Sequence, residues 1–296
     1  MAIDTVQLHE TKHPDKTSQE RFDALIGIDL AKSDLIDHLT LILDRQRIDD
    51  WVKRHHKKGL PLVERLKHGT PLVILAGEVG CGKTALATSI GTPLATALDA
   101  HVVAFETPSD IRGNGLVGDL SARVTSAFEQ AHAALTGRKR GLLIIDEGDD
   151  LGTTRSQLNA HHEDRAGLNV LIKQIDRLGR ENAPLAVLLV TNRLEALDPA
   201  LVRRAHIIRF VRPDKATRRD VLSQLLDGTA VCESDLDRLV SATEHPLAFS
   251  YSDLVHRIAE PAIRLALGED SAFSIEHMLR VAEHVKPTPL IEDVTP

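Results

Sequence analysis

The strongest chemical signal in the chain is the run Gly77-Glu78-Val79-Gly80-Cys81-Gly82-Lys83-Thr84. Its spacing fits G-x-x-x-x-G-K-[ST], a loop whose backbone N–H groups cradle the phosphates of a nucleoside triphosphate. Glycines at 77, 80 and 82 let the backbone fold back with no Cβ in the way, so that consecutive N–H groups point at one anion. Lys83 would neutralise the outer phosphates, and the Thr84 hydroxyl would ligate Mg²⁺ at the start of a helix that continues through Ala85. Gly77 to Ala85 therefore form a candidate ATP cradle. Within it Cys81 is either an inert variable position or a redox switch.

A second run supplies acids. Leu142-Leu143-Ile144-Ile145-Asp146-Glu147 reads as an apolar strand ending in two carboxylates. At that tip Asp146 would hold Mg²⁺ together with Thr84, and Glu147 would polarise the attacking water. A third strand, Ala186 to Val190, ends in Thr191-Asn192, where the Asn192 amide would meet the γ-phosphate or the water. Farther on, Arg203 and Arg204 are adjacent cations able to supply charge to a γ-phosphate. A Thr-Asn turn and an exposed Arg-Arg pair are, for each of these two, the alternative reading.

These residues need a scaffold that delivers strand tips to one edge. Apolar runs at Pro71–Ala76, Val102–Phe105, Leu142–Ile145, Ala186–Val190 and Ile207–Val211 predict five strands, with helical stretches such as Leu120–Leu135 and Leu168–Leu178 between them. Alternation of this kind implies an α/β domain, with a five-stranded parallel sheet between helices and its ligands at the carboxyl ends of the strands. After Pro213 only helices are predicted: Ala216–Leu226, Ser234–Ser241, Ser250–Leu267 with a kink at Pro261, and Ile275–Val285. The expected division is a disordered tail over 1–20, the α/β domain over 21–212, a small helical domain over 213–286 and a loose tail over 287–296.

Bulk composition narrows the function classes. A chain of 296 residues that is 42% hydrophobic can bury a large core, and no run approaches membrane-spanning length. Two distant cysteines argue for a reducing compartment, and with no apolar signal core in Met1–Glu20 the expectation is cytoplasmic. A net charge of −7, one Trp and one Tyr argue against nucleic-acid binding, which needs clustered cations and stacking platforms. The basic run Lys53–Lys58 reads as a solvated helix end.

The order of phosphate loop, Asp-Glu strand, Thr-Asn strand and Leu197-Asp198-Pro199-Ala200-Leu201-Val202-Arg203-Arg204, with helices opening at Ser250-Tyr251-Ser252-Asp253-Leu254, resembles an AAA+ ATPase of the AAA clade. The resemblance runs from about Phe22 to Val285. It implies a lid for the helical domain, an adenine pocket lined by Ile26 and Gly27, a sensor 1 role for Asn192, and a ring, commonly a hexamer, in which arginines reach the neighbour's nucleotide. Asn169 to Leu178, with Val202-Arg203-Arg204-Ala205-His206-Ile207, is similar to the pachytene-checkpoint family that remodels HORMA-domain proteins. That match puts Arg204 ahead of Arg203 as the finger. It also implies partnership with a HORMA protein and a cyclic-oligonucleotide synthase in bacterial anti-phage signalling.

The chain departs from that family in three places. Fewer than twenty-five residues precede the linker, where eukaryotic members carry a substrate-binding domain. Ser252 stands where a lid arginine, sensor 2, is expected, with Arg257 as a nearby substitute. The pore loop carries Leu116 and Val117 between glycines in place of an aromatic residue; this pair either wedges against a peptide or tucks Leu116 into the core. A second pore loop is expected over Arg155–Asp164. The reading is an ATP-hydrolysing, ring-forming remodeller. The alternatives are another AAA+ unfoldase or DNA-associated helper, and a nucleotide-gated switch that binds without unfolding.

Overall fold

A computed structural model describes residues 6–56, 59–63, 69–108, 111, 119–137, 139–149 and 162–290. The predicted strands are all present: β2 (Leu72–Gly77), β3 (Val102–Glu106), β4 (Arg140–Ile145), β5 (Leu185–Thr191) and β6 (His206–Phe210). A sixth, β1 (His9–His13), completes a sheet of order β1-β3-β4-β5-β2-β6. The pairs β3–β4, β4–β5 and β2–β5 run parallel. Every residue of β5, and all of β2 but its last glycine, is buried, which is why these strands read as unbroken apolar runs.

Contacts divide the chain into two compact units that are not continuous in sequence. One holds Met1–Ala24, Leu30–Gly77 and Lys83–Arg209; the other holds Leu25–Asp29, Glu78–Gly82 and Phe210–Pro296. In the first, the helices Asp119–Ala133 and His162–Glu181 cover the sheet through Val124, Phe128, Leu168, Leu171 and Ile175. The linker and the middle of the phosphate loop thus cluster with the helical unit and not with the sheet, a division finer than a boundary at 212/213.

The tail expected over 1–20 is folded from residue 6. Val6 is buried, β1 pairs antiparallel with β3 from His9↔Glu106 to His13↔Val102, and helix α1 (Lys16–Asp23) follows, capped by the Asp15 carboxylate accepting from Ser18 N–H at 2.7 Å. Its polar sequence hid it, because an edge strand with one solvated face needs few apolar residues and gains from charges that discourage further pairing.

The second unit is helical. Helices over Lys215–Leu225, Glu233–Ala242, Glu260–Gly268 and Ile275–Ala282 pack Leu222, Leu239, Phe249, Leu254, Ile258 and Met278 into one core. The predicted kink takes another form. Asp253–Ala259 is a π-helical turn that runs directly into the α-helix Glu260–Gly268, with Pro261 just past the junction. The segment past residue 286 is not loose at its start: Pro287 is buried and Thr288 is hydrogen-bonded. Among the described residues no helix is long and apolar enough to cross a membrane.

Candidate functional site

The parallel register brings three strand tips to one edge. Ala76 is level with Thr191 and Ile145 with Leu189, so the phosphate loop, Asp146-Glu147 and Asn192 leave the sheet side by side. Lys83 is buried and its Nζ donates to the Gly77 carbonyl at 2.8 Å. The Thr84 hydroxyl donates to Asp146 Oδ2 at 2.9 Å, joining the two residues expected to share a cation. A hydroxyl and a carboxylate are the hard oxygen donors that suit Mg²⁺, which keeps waters and takes its remaining ligands from phosphates.

Glu147 is exposed, and its backbone N–H donates to Asp146 Oδ1 at 2.8 Å. Its φ is +52°, a left-handed conformation that costs a residue with a Cβ about 1–2 kcal/mol. The next residue lies close against β5: a Cβ on Gly148 would stand 2.5 Å from Leu189 Cγ, so only glycine lets the backbone approach there. Beside it the Thr191 hydroxyl donates to Asp149 Oδ1 at 2.9 Å and accepts from Arg193 N–H at 3.0 Å. Asn192 is exposed at the tip.

In the second unit, Gly80 meets the helix that opens at Ser250. Its φ is +75°, its carbonyl accepts from Ser252 N–H at 3.0 Å, and a Cβ there would lie 2.7 Å from Ser250 Oγ and 2.8 Å from Ser252 Cβ. Only glycine fits. Cys81 is fully buried, with its thiol 3.8 Å from the Val79 carbonyl, and the Val79 side chain is exposed. The linker residues lie beside this loop: Ile28 Cδ1 is 3.6 Å from a Cβ built on Gly82, and Ile26 packs against the helical core. Gly27 accepts from the Tyr251 hydroxyl at 3.0 Å, and burial above all pushes that phenol up to about 12. Arg257 hydrogen-bonds Thr288 and lies 4.0 Å from Asp253.

The structure separates the two arginines. Arg203 is exposed. Arg204 donates from Nε and Nη2 to the two carboxylate oxygens of Asp176 at 3.0 and 3.2 Å, and from Nη1 to the Ala200 carbonyl at 2.9 Å. Leu116 and Val117 lie outside the described residues, as do residues 155–161 of the second loop; 162–164 open the helix that runs to Glu181. Sequence reasoning passed over Asp149, Thr191, Asp176 and Arg212 as site-forming side chains. Each acts through a distant partner, so no local spacing marks it.

The profile of the ATPase family associated with various cellular activities (AAA) matches residues 73–213, which span both strand-tip acids and the phosphate loop. CD-NTase-associated protein 6 of Escherichia coli (strain MS 115-1) is 36% identical over 99% of this chain and 98% of its own. A chain of the solved E. coli MS115-1 HORMA:CdnC:Trip13 complex superposes with a TM-score of 0.91 over 99% of both chains, at 36% identity. The solved Rhizobiales Trip13 gives a TM-score of 0.75 over 95% of this chain and 98% of that one, at 32% identity. With a phosphate loop, paired acids and full-length likeness of this order, the chain belongs to the AAA ATPase family, in the group of CD-NTase-associated protein 6 and Trip13.

Proposed function

We propose that this ATPase forms a hexameric ring that uses ATP hydrolysis to remodel a HORMA-domain protein, bound to a cyclic-oligonucleotide synthase, within an anti-phage signalling system. One observation carries the chemistry: the Thr84 hydroxyl lies 2.9 Å from Asp146 with Glu147 presented next to them. The partner rests on the likeness to a chain from the HORMA:CdnC:Trip13 complex.

Backbone N–H groups of Gly77 to Ala85 receive the phosphates, and Lys83 offsets their charge. Thr84 and Asp146 would hold Mg²⁺, which supplies charge neutralisation on the phosphates. Glu147 orients and polarises the attacking water, and Asn192 fixes its approach. Arg204, oriented by Asp176, reaches the γ-phosphate of the neighbouring copy, with Arg203 second. Ile26 and Gly27 line the adenine side. Leu116 and Val117 grip the substrate chain, and cleavage of each nucleotide moves them. Two cysteines far apart in the sequence support a cytoplasmic setting for this work.

A second reading is a nucleotide-gated switch that binds without unfolding. Ser252 at the lid position expected to hold an arginine is what favours it. ATP turnover with and without the HORMA partner, with Glu147→Gln as the blank, separates the two. Remodelling requires partner-stimulated turnover and loss of partner disassembly in the variant. Full partner release by Glu147→Gln would establish the switch instead, and turnover indifferent to the HORMA protein would remove that partner.

A further inference from the structure

The first variable position of the phosphate loop is held from within the helical unit. Glu78 Oε2 accepts from Arg212 Nε at 2.5 Å, and the Arg212 side chain is only 6% exposed. Arg212 Nη1 donates to the Ala248 carbonyl at 2.7 Å and lies 3.9 Å from Asp253 Oδ2. Asp253 is 1% exposed. Its Oδ2 accepts from Ser250 N–H at 3.0 Å and Thr288 N–H at 3.2 Å, and its Oδ1 accepts from the Thr288 hydroxyl at 2.5 Å. Arg257 Nη1 donates to that hydroxyl at 3.0 Å. A continuous path therefore runs from the C-terminal segment to the phosphate loop.

We propose that the segment after the last helix is a strap that positions the phosphate loop, with Thr288 as its latch and Arg212 as the positioning residue that carries the effect to Glu78. Arg212 is a buried cation between two carboxylates, and it cannot serve both equally. While Thr288 is seated, two donors from the strap offset the charge of Asp253, which leaves Arg212 Nε bonded to Glu78. With the strap withdrawn, Asp253 is a buried carboxylate short of donors, and it draws Arg212 toward itself. Glu78 then loses its anchor, and the loop that must meet the phosphates is less pre-organised. The strap therefore sets nucleotide affinity without touching the water-activating groups, and whatever unseats Pro287 and Thr288 gains a route to the phosphate loop.

The test is made in the full chain. Thr288→Val keeps the side-chain shape and removes the hydroxyl at a half-exposed position, and Thr288→Ser restores it. Binding of a fluorescent ADP derivative is measured beside ATPase kcat, KM and the thermal midpoint. Thr288→Val should raise the ADP Kd and the KM by about three- to tenfold with kcat within about twofold, and Thr288→Ser should return both to the parent values. In a double-mutant cycle Glu78→Gln should raise Kd by itself and remove most of the Thr288→Val effect, since both act through Arg212. A lowered midpoint with unchanged Kd would make the strap purely structural and overturn the proposal. So would additive effects in the cycle, which would route the strap around Glu78.

Discussion

If Arg204 acts on the nucleotide of a neighbouring copy, Asp176 should matter almost entirely through it. Asp176 contributes two of the three hydrogen bonds that aim the guanidinium, and the pair is neither deeply buried nor fully solvated, at 27% and 37% exposure. A bidentate charge-assisted pair is worth about 1.5–3 kcal/mol when dry, and solvent screening at this exposure brings it to about 1 kcal/mol. Asp176→Asn keeps one acceptor and the shape, so turnover should fall about fivefold to tenfold with KM for ATP unchanged. Arg204→Ala removes the cation itself and should cost about a thousandfold or more. The decisive assay mixes two dead variants. In rings made from equal parts of Arg204→Ala and Glu147→Gln subunits, about a quarter of neighbour contacts join an intact Glu147 to an intact Arg204 from the next copy. ATPase activity should reappear on mixing. Its absence under conditions where mixed rings form would refute action between subunits. A rise in turnover for Asp176→Asn would refute the positioning role, because Asp176 would then be competing with the phosphate for Arg204.

Glu147→Gln should lower kcat by at least about a hundredfold while fluorescent ADP still binds at parent affinity, a split read by comparing turnover with titration. Gly80→Ala forces a Cβ to within 2.8 Å of both serines and strains a φ of +75°; it should lower stability by about 1–3 kcal/mol in urea unfolding and weaken nucleotide binding in the same protein. Two histidines, His13 buried and His38 half-buried, predict an acid limb. Burial, then His206, pushes His38 down to about 4 against the pull of Asp34, and burial lowers His13 against Asp15. His38 stays neutral in the folded chain down to about pH 4 while the unfolded chain takes up protons below about pH 6.5, so stability present at neutral pH should be lost progressively from about pH 6.5 toward 4, and the lowered His13 adds loss of the same sign. After solvent screening the loss from His38 is about 1–2 kcal/mol. Urea midpoints at several pH values measure it, and His38→Phe should flatten the slope.

The parts of the molecule that could be read from sequence are those whose physics is local. Gly77 to Thr84 announce themselves because one loop must turn, point its N–H groups and place a lysine within a few residues. Strands β2 and β5, buried on both faces, leave apolar runs that nothing else explains, and a strand tip then fixes where Asp146, Glu147 and Asn192 emerge. The capping pair of Ser250 and Asp253 was also readable, and both of its hydrogen bonds are present at 3.0 and 3.1 Å.

What could not be read depends on partners far along the chain. Arg204 and Asp176 are 28 residues apart, Thr191 and Asp149 are 42 apart, and Glu78 and Arg212 are 134 apart. Asp176, Asp149 and Arg212 looked like ordinary surface charges, because a lone charged side chain carries no mark of the distant partner it will meet. The strand β1 failed for the opposite reason: its partner is the edge of a sheet already made, so backbone hydrogen bonds suffice and the side chains stay polar. The division at the phosphate loop follows the same logic. Glu78 to Gly82 are contiguous with β2 but take contacts from Ser250, Ser252 and Arg212, so the candidate phosphate loop is anchored by residues 134 to 172 positions further along the chain, which no local pattern ties to it.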